Sequence, residues 1–204
     1  MEDFKTWLTI VRDSFAIIGI GFAFWRIYVM RHTFFSDHDR SRRLSALDMI
    51  KFWTKSLTQK SSLARKLVES FSDDQCQALS NQISFNIDAN KRDLLIEYFG
   101  KENIVESNNL IKLNEGQSSI LRWEIISYLN QLETVLIAWK HNIADKEILE
   151  EEFNYLYKPE KGHTLIEKFR IATGIDSYPG IKEFVDSLKK ESEKKTKKGK
   201  KKIK

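Results

Sequence analysis

The chain has 204 residues, with two prolines, eight glycines and a single cysteine, Cys76. Its length admits one domain with an appended segment, and one cysteine excludes an internal disulfide or a multi-cysteine zinc site within one chain. The formal charge of +5 is unevenly spread: from Lys189 onward lie 10 of the 34 basic and only 2 of the 29 acidic residues, leaving residues 1–188 with 24 basic and 27 acidic groups. That net of −3 excludes a basic nucleic-acid module as the folded body. The sparse proline and glycine point to long helices joined by short connections, an all-α fold class.

The N-terminus carries the first element. Ser14 to Trp25 is uncharged, and apolar residues extend the stretch to Phe4 and Met30. Spanning a hydrocarbon layer takes about 20 mostly apolar residues, so an anchor here accepts Arg12, Asp13 or Arg26 near its ends, with the arginines reaching toward the headgroups. No small-residue cleavage pattern follows the run; Arg26, Arg31, His32, Arg40, Arg42 and Arg43 do. The segment therefore reads as a retained single-pass anchor over residues 1–32, and the arginine excess after it orients the C-terminal bulk toward the cytoplasm of an inner membrane. At about 100° per residue, Arg12, Ala16, Gly19, Ala23 and Arg26 share one face within about 80°. Small residues spaced by four let membrane helices approach closely, and cations in a bilayer prefer a bundle interior. This face is the expected contact of a homo-oligomer.

After a polar connection, Phe35 to Asp39, residues 40–188 read as a cytoplasmic multi-helix bundle. Leu44, Leu47, Ile50 and Phe52 open an amphipathic stretch around Trp53, and Leu63, Leu67, Val68 and Phe71 mark a second. Ser72 to Gln75 matches a capping box, and Asp88 is placed to cap a helix that Gly100 stops. Residues 101–116, with Ser107-Asn108-Asn109 and Asn114-Glu115-Gly116, read as a loop. Ile125, Leu129, Leu132, Leu136 and Trp139 alternate in steps of four and three, the pattern of a core helix, with Asn142 as its stop and Asp145 capping the next helix. Thr164 to Glu167 matches a second capping box, and Pro179 suits the first turn of a last helix over Ile181 to Leu188. The lysine-rich tail, 189–204, reads as disordered, with anionic lipid or RNA as its potential contacts.

Little in the sequence carries chemistry. His32, His38, His141 and His163 form no pair at metal-ligand spacing, and no glycine-rich phosphate loop or nucleophile elbow is present. No metal, cofactor, catalytic residue or small-molecule substrate is expected. Arg26 to His32 and Arg31 to His38 match the Arg-then-His spacing of helical HEPN ribonucleases, but both fall at the anchor's edge; His141, near a helix C-terminus, is better read as a dipole interaction. Asn130 and Glu133 lie near the apolar face of the core helix and predict a buried polar network, with Arg122, Arg170 or a helix amide as partner.

The segment Arg122 to Phe153, with Tyr128, Leu129, Asn130 and Glu133 followed by Asp145 and Phe153, resembles a bacterial family of unknown function with one N-terminal membrane helix and a helical cytoplasmic domain. The architecture is also similar to the small membrane accessory proteins of type VI-B CRISPR systems. That resemblance implies a ring-like, pore-forming oligomer that enhances RNA-guided antiviral defence, although this chain lacks the Arg-x4-6-His signature within its cytoplasmic part. The expectation is thus a non-enzymatic, membrane-anchored effector or accessory protein. A tethered scaffold for a cytoplasmic partner and a HEPN-like tethered RNase are the alternatives, the latter requiring His141 or His163.

Overall fold

Several helix starts in the computed structural model are set by local bonds that the sequence supplies. The structure describes the backbone of residues 2–174 and 177–201 and the side chains of residues 21–174 and 177–190. Helix α1 covers Glu2–Ser56, α2 Gln59–Glu69, α3 Asp73–Ser80 and α4 Arg92–Phe99; α5 is Glu115–Lys140, α6 Lys146–Phe153, α7 Glu167–Thr173 and α8 Pro179–Lys201. Thr58 with Ser61, Ser72 with Gln75 and Asn114 with Gln117 form reciprocal capping boxes that open α2, α3 and α5. Each satisfies two amides that otherwise lack a partner. Asp145 accepts the amides of Glu147 and Ile148 to start α6, Gly100 ends α4 at φ +87°, and Asn142 turns the chain after α5 at φ +56°.

The chain divides into two units, Met1–Arg43 and Leu44–Lys204. The break expected at Phe35 to Asp39 does not occur, because α1 runs through it. No glycine or proline stands between Phe22 and Ser56. Polar residues alone do not end a helix; a lost amide or an unfavourable φ does.

In the second unit α5 is the central element. It buries Leu121, Ile125, Tyr128, Leu129, Leu132, Val135, Leu136 and Trp139, and packs against α2, α3, α6 and α8. Trp53 of α1 stands edge-on to Tyr128 at 5.3 Å and to Phe153 of α6 at 5.8 Å, while Trp139 meets Phe184 of α8 at 5.3 Å. Such aromatic pairs add specificity of orientation to the apolar burial.

The fold is mostly helical, consistent with the all-α expectation, and carries two small sheets besides. Strands β1 (Phe85–Asp88), β2 (Glu106–Ser107) and β3 (Leu110–Leu113) form an antiparallel sheet in the order β1-β3-β2. Residues 101–116 are therefore not simply a loop. Asn108 and Asn109, at φ +51° and +62°, make the two-residue turn with left-handed conformations that matches strand twist in a tight hairpin. Ile87, Ile111 and Leu113 of the sheet point into the core. Strands β4 (Tyr157–Lys158) and β5 (His163–Thr164) pair separately, Tyr157 opposite Thr164. This pairing overturns the capping box expected at Thr164: α7 begins at Glu167 after Ile166, which has φ +54° and makes no side-chain cap. Leu165 and Ile166 are instead fully buried, both at positive φ. Burial of the two side chains offsets a backbone cost of the order of 1–3 kcal/mol each. The tail expected to be disordered is helical as far as Lys201, continuing α8.

Because Leu132 is fully buried at the middle of α5, Leu132→Ala should lower unfolding free energy by about 2–5 kcal/mol. Urea denaturation followed by circular dichroism checks this, with native helix content expected to persist.

Candidate functional site

Glu133 is the buried charge of α5. Its Oε1 accepts the Gly180 amide at 2.6 Å and its Oε2 accepts the Ile181 amide at 2.9 Å. Both donors belong to the first turn of α8, whose leading residue, Pro179, has no amide to satisfy. A carboxylate at that end also meets the positive pole of the helix. Gly180 is needed for the approach, since a Cβ there would stand 3.0 Å from Glu133 Oε1, the Ile137 nitrogen and the Leu136 carbonyl carbon.

Of the partners considered for Glu133, the helix amides take its hydrogen bonds, while the Arg170 charge acts on it electrostatically. Arg122 instead donates through Nε to the Ser80 carbonyl, and Arg170 to the Leu165 carbonyl. Asn130 departs from expectation: it is exposed, and its backbone carbonyl accepts from Thr134. It stands one position beyond the inward face that Leu129, Leu132, Glu133 and Leu136 share, so the buried polar network runs from Glu133 to α8 without it. Replacing Glu133 by Gln puts an amide donor where only acceptors fit, and should cost about 1–3 kcal/mol of stability. Gly180→Ala should destabilise as well, both effects being read from chemical denaturation midpoints.

A second ionisable cluster escaped the sequence reading. Arg65 and Glu69 of α2 are one helical turn apart, 2.9 Å between Nη1 and Oε2, with side chains only 14% and 8% exposed. The Thr164 amide donates to Glu69 Oε1 at 3.3 Å, tying α2 to β5. Burial raises the Glu69 carboxyl above its ordinary value, against the opposing pull of Arg65, His163 and two backbone amides. The i,i+4 spacing of Arg65 and Glu69 was visible in the sequence, but a surface pair has the same spacing; only the packing of β5 over it creates a buried pair. Among the described residues, the buried Tyr128 Oη and Trp53 Nε1 have no hydrogen-bond partner.

The histidines do not assemble a centre. His32, His38 and His141 are exposed, and His163 Nδ1 lies 3.3 Å from the Tyr155 carbonyl. Among the described residues no group of three or more His, Cys, Asp or Glu is placed to hold a metal ion. Cys76 is a free, buried thiol pushed up to about 11 by desolvation.

Glu69 also gives a pH dependence with a definite sign. Its folded pKa lies above the ordinary 4.5, so folding favours the protonated acid. That contribution is present in full below the unfolded value and is lost as pH rises through the folded one. The stability difference, wild type minus Glu69→Gln, should therefore fall as pH rises above the ordinary carboxylate value of 4.5, measured as urea midpoints over a pH series.

The first unit presents a different surface. Phe22, Phe24, Trp25, Ile27, Tyr28, Val29, Met30, Phe34 and Phe35 of α1 are all exposed, Phe24 by 70% and Tyr28 by 69%. Of the expected oligomer face, Ala23 and Arg26 are exposed, while the side chains of Arg12, Ala16 and Gly19 lie outside the described residues. Among the described residues no helix is long and apolar enough to cross a membrane. The uncharged run Ser14 to Trp25 enters that set only at Gly21.

Fold and site together define a mostly helical protein whose second unit is closed by a buried carboxylate clamp and whose first unit carries an exposed apolar helix. No protein-family model, curated protein or solved structure matches the chain.

Proposed function

We propose that the protein is a membrane-anchored helical effector or accessory protein, with the N-terminal part of α1 inserted in the inner membrane and copies assembling through it. The carrying observation is the distribution of the exposed apolar side chains from Phe22 to Phe35. At about 100° per residue they leave no gap wider than about 80° around the helix. A helix that lies on a membrane surface is apolar on one side and polar on the other. One with apolar side chains on every side, here interrupted by Arg26, Arg31 and His32, finds an apolar environment on every side in a bilayer or in a bundle of identical helices within it.

The uncharged sequence preceding this band, from Ser14, lengthens it to 17 residues at Met30 with Arg26 as the one charge. That corresponds to about 25 Å of helix, short of the ~30 Å hydrocarbon layer by an amount that local thinning and reaching arginines absorb. The resemblance to the type VI-B accessory proteins supports the finer reading, a pore-forming oligomer in bacterial antiviral defence. Gly19 and Ala23, one turn apart, supply the close-approach spacing for such an assembly. A tethered scaffold is the second reading, favoured by Trp123 on α5, which is 72% exposed beside the half-exposed Ile120; isolated surface tryptophans of this kind anchor protein contacts.

Membrane fractionation tests the anchor. Wild-type protein should stay with membranes after alkaline carbonate extraction, and Phe24→Asp with Ile27→Asp should release it. Recovery of the wild type in the carbonate supernatant overturns the reading. Light scattering in detergent then tests assembly: a defined oligomer that Gly19→Leu breaks down is expected, and a wild-type monomer rejects the oligomer.

A further inference from the structure

We infer that the segment from Arg26 to Arg43 forms a guanidinium collar that recognises acidic phospholipids, whose phosphodiester charge no headgroup cation compensates. The inference rests on the membrane reading of α1 and adds to it a chemically specific partner. The chain contains 24 lysines and 10 arginines, yet Arg26, Arg31, Arg40, Arg42 and Arg43, half of the arginines, lie in these 18 residues, where there is no lysine. With Asp37 and Asp39 the only acids, the segment carries a net charge of +3. Residues 189–204 show the opposite choice, ten lysines and no arginine. A requirement for positive charge alone is met by either residue; the planar, bidentate fork of arginine is what matches two phosphate oxygens at once.

Placement supports the same partner. The five arginines are distributed around α1 with no gap wider than about 140°, so no single face is basic. A helix reading one nucleic-acid groove presents its cations as a stripe, whereas a helix passing through a layer of headgroups meets phosphates on all sides. Aromatic residues are interleaved with the cations: Trp25 and Tyr28 are exposed, and the Arg31 guanidinium sits 5.6 Å from the Phe35 ring centroid. Aromatic rings and arginines together are the composition of a membrane–water boundary. The apolar band precedes the cluster of Arg40, Arg42 and Arg43 on the same helix, as a segment leaving the hydrocarbon for the acidic inner leaflet requires.

Co-sedimentation of the full chain with vesicles tests this, using neutral phosphatidylcholine alone or with 30% phosphatidylglycerol. Wild-type protein should bind both, with an apparent affinity for the acidic vesicles higher by tenfold or more. Arg31→Gln, Arg40→Gln and Arg42→Gln together should bring the acidic vesicles to within about twofold of the neutral ones while neutral binding is unchanged. The same three positions changed to Lys should recover only part of the preference. Equal wild-type binding to both vesicles, or full preference in the lysine variant, overturns the collar and leaves the anchor standing. Failure to bind either vesicle overturns the anchor itself. Tight binding of a single-stranded RNA that the glutamine variant loses, with no preference between vesicles, assigns the arginines to nucleic acid and rejects the headgroup site.

Discussion

The second unit depends on the two amides that Glu133 takes from the start of α8. A carboxylate removed from water is costly unless it is hydrogen-bonded, and the first turn of a helix has amides with no internal partner. Each end of the contact removes the other's cost. The two Glu133 bonds, at 2.6 and 2.9 Å, hold helices 47 residues apart in sequence in one register, and the rest of the α5–α8 seam follows from that register. Trp139 reaches Phe184, Lys140 reaches Glu183 at 3.1 Å, and Ile181, Phe184 and Val185 become buried. Each fully buried side chain contributes about 1.5–3 kcal/mol, whereas the half-exposed Lys140 pair adds little. Gly180 enters the same constraint as a steric condition, since any side chain would displace the carboxylate or the α5 backbone.

The two units solve the hydrophobic problem differently. Between Leu44 and Lys190 the large apolar residues are mostly covered by the chain itself, and the local exceptions, Trp123 and Val105 among them, are scattered. Scattered exposure is normal for a folded surface. From Phe22 to Phe35 the exposure is continuous and surrounds the helix. A contiguous exposed apolar surface of this kind is the mark of an interaction site. The switch from an arginine-rich N-terminal segment to a lysine-rich C-terminal one runs parallel to this division.

Much of the helical framework was readable in advance because its signals are local. The Ser72–Gln75 box, the Asp145 cap, the Gly100 stop and Pro179 at a first turn each act within four residues, so the sequence contains both halves of the interaction. The alternation from Ile125 to Trp139 likewise needs only the helical period to be recognised. The Thr164 box had the correct spacing and still did not form. There the competing interactions were distant: Tyr157 as strand partner, Glu69 as acceptor for the Thr164 amide, and a cavity that takes Leu165 and Ile166. The hairpin around Asn108-Asn109 had a readable turn signal, but its strands are too short to show a two-residue alternation.

The sequence by itself determined the starts of α3, α6 and α8 and the end of α4, that α5 is the core element, that Glu133 faces inward and needs a donor, and that the apolar and arginine-rich segments adjoin. These follow from bonds and periodicities contained within a few residues. Only the tertiary structure decided that the donor is the first turn of α8, that Asn130 faces solvent one position away, that Arg65 and Glu69 form a buried pair, and that small sheets complete a mostly helical core. Each of those depends on which distant segment arrives at a surface, and the free energy that selects the arrival is collective burial rather than any single local preference.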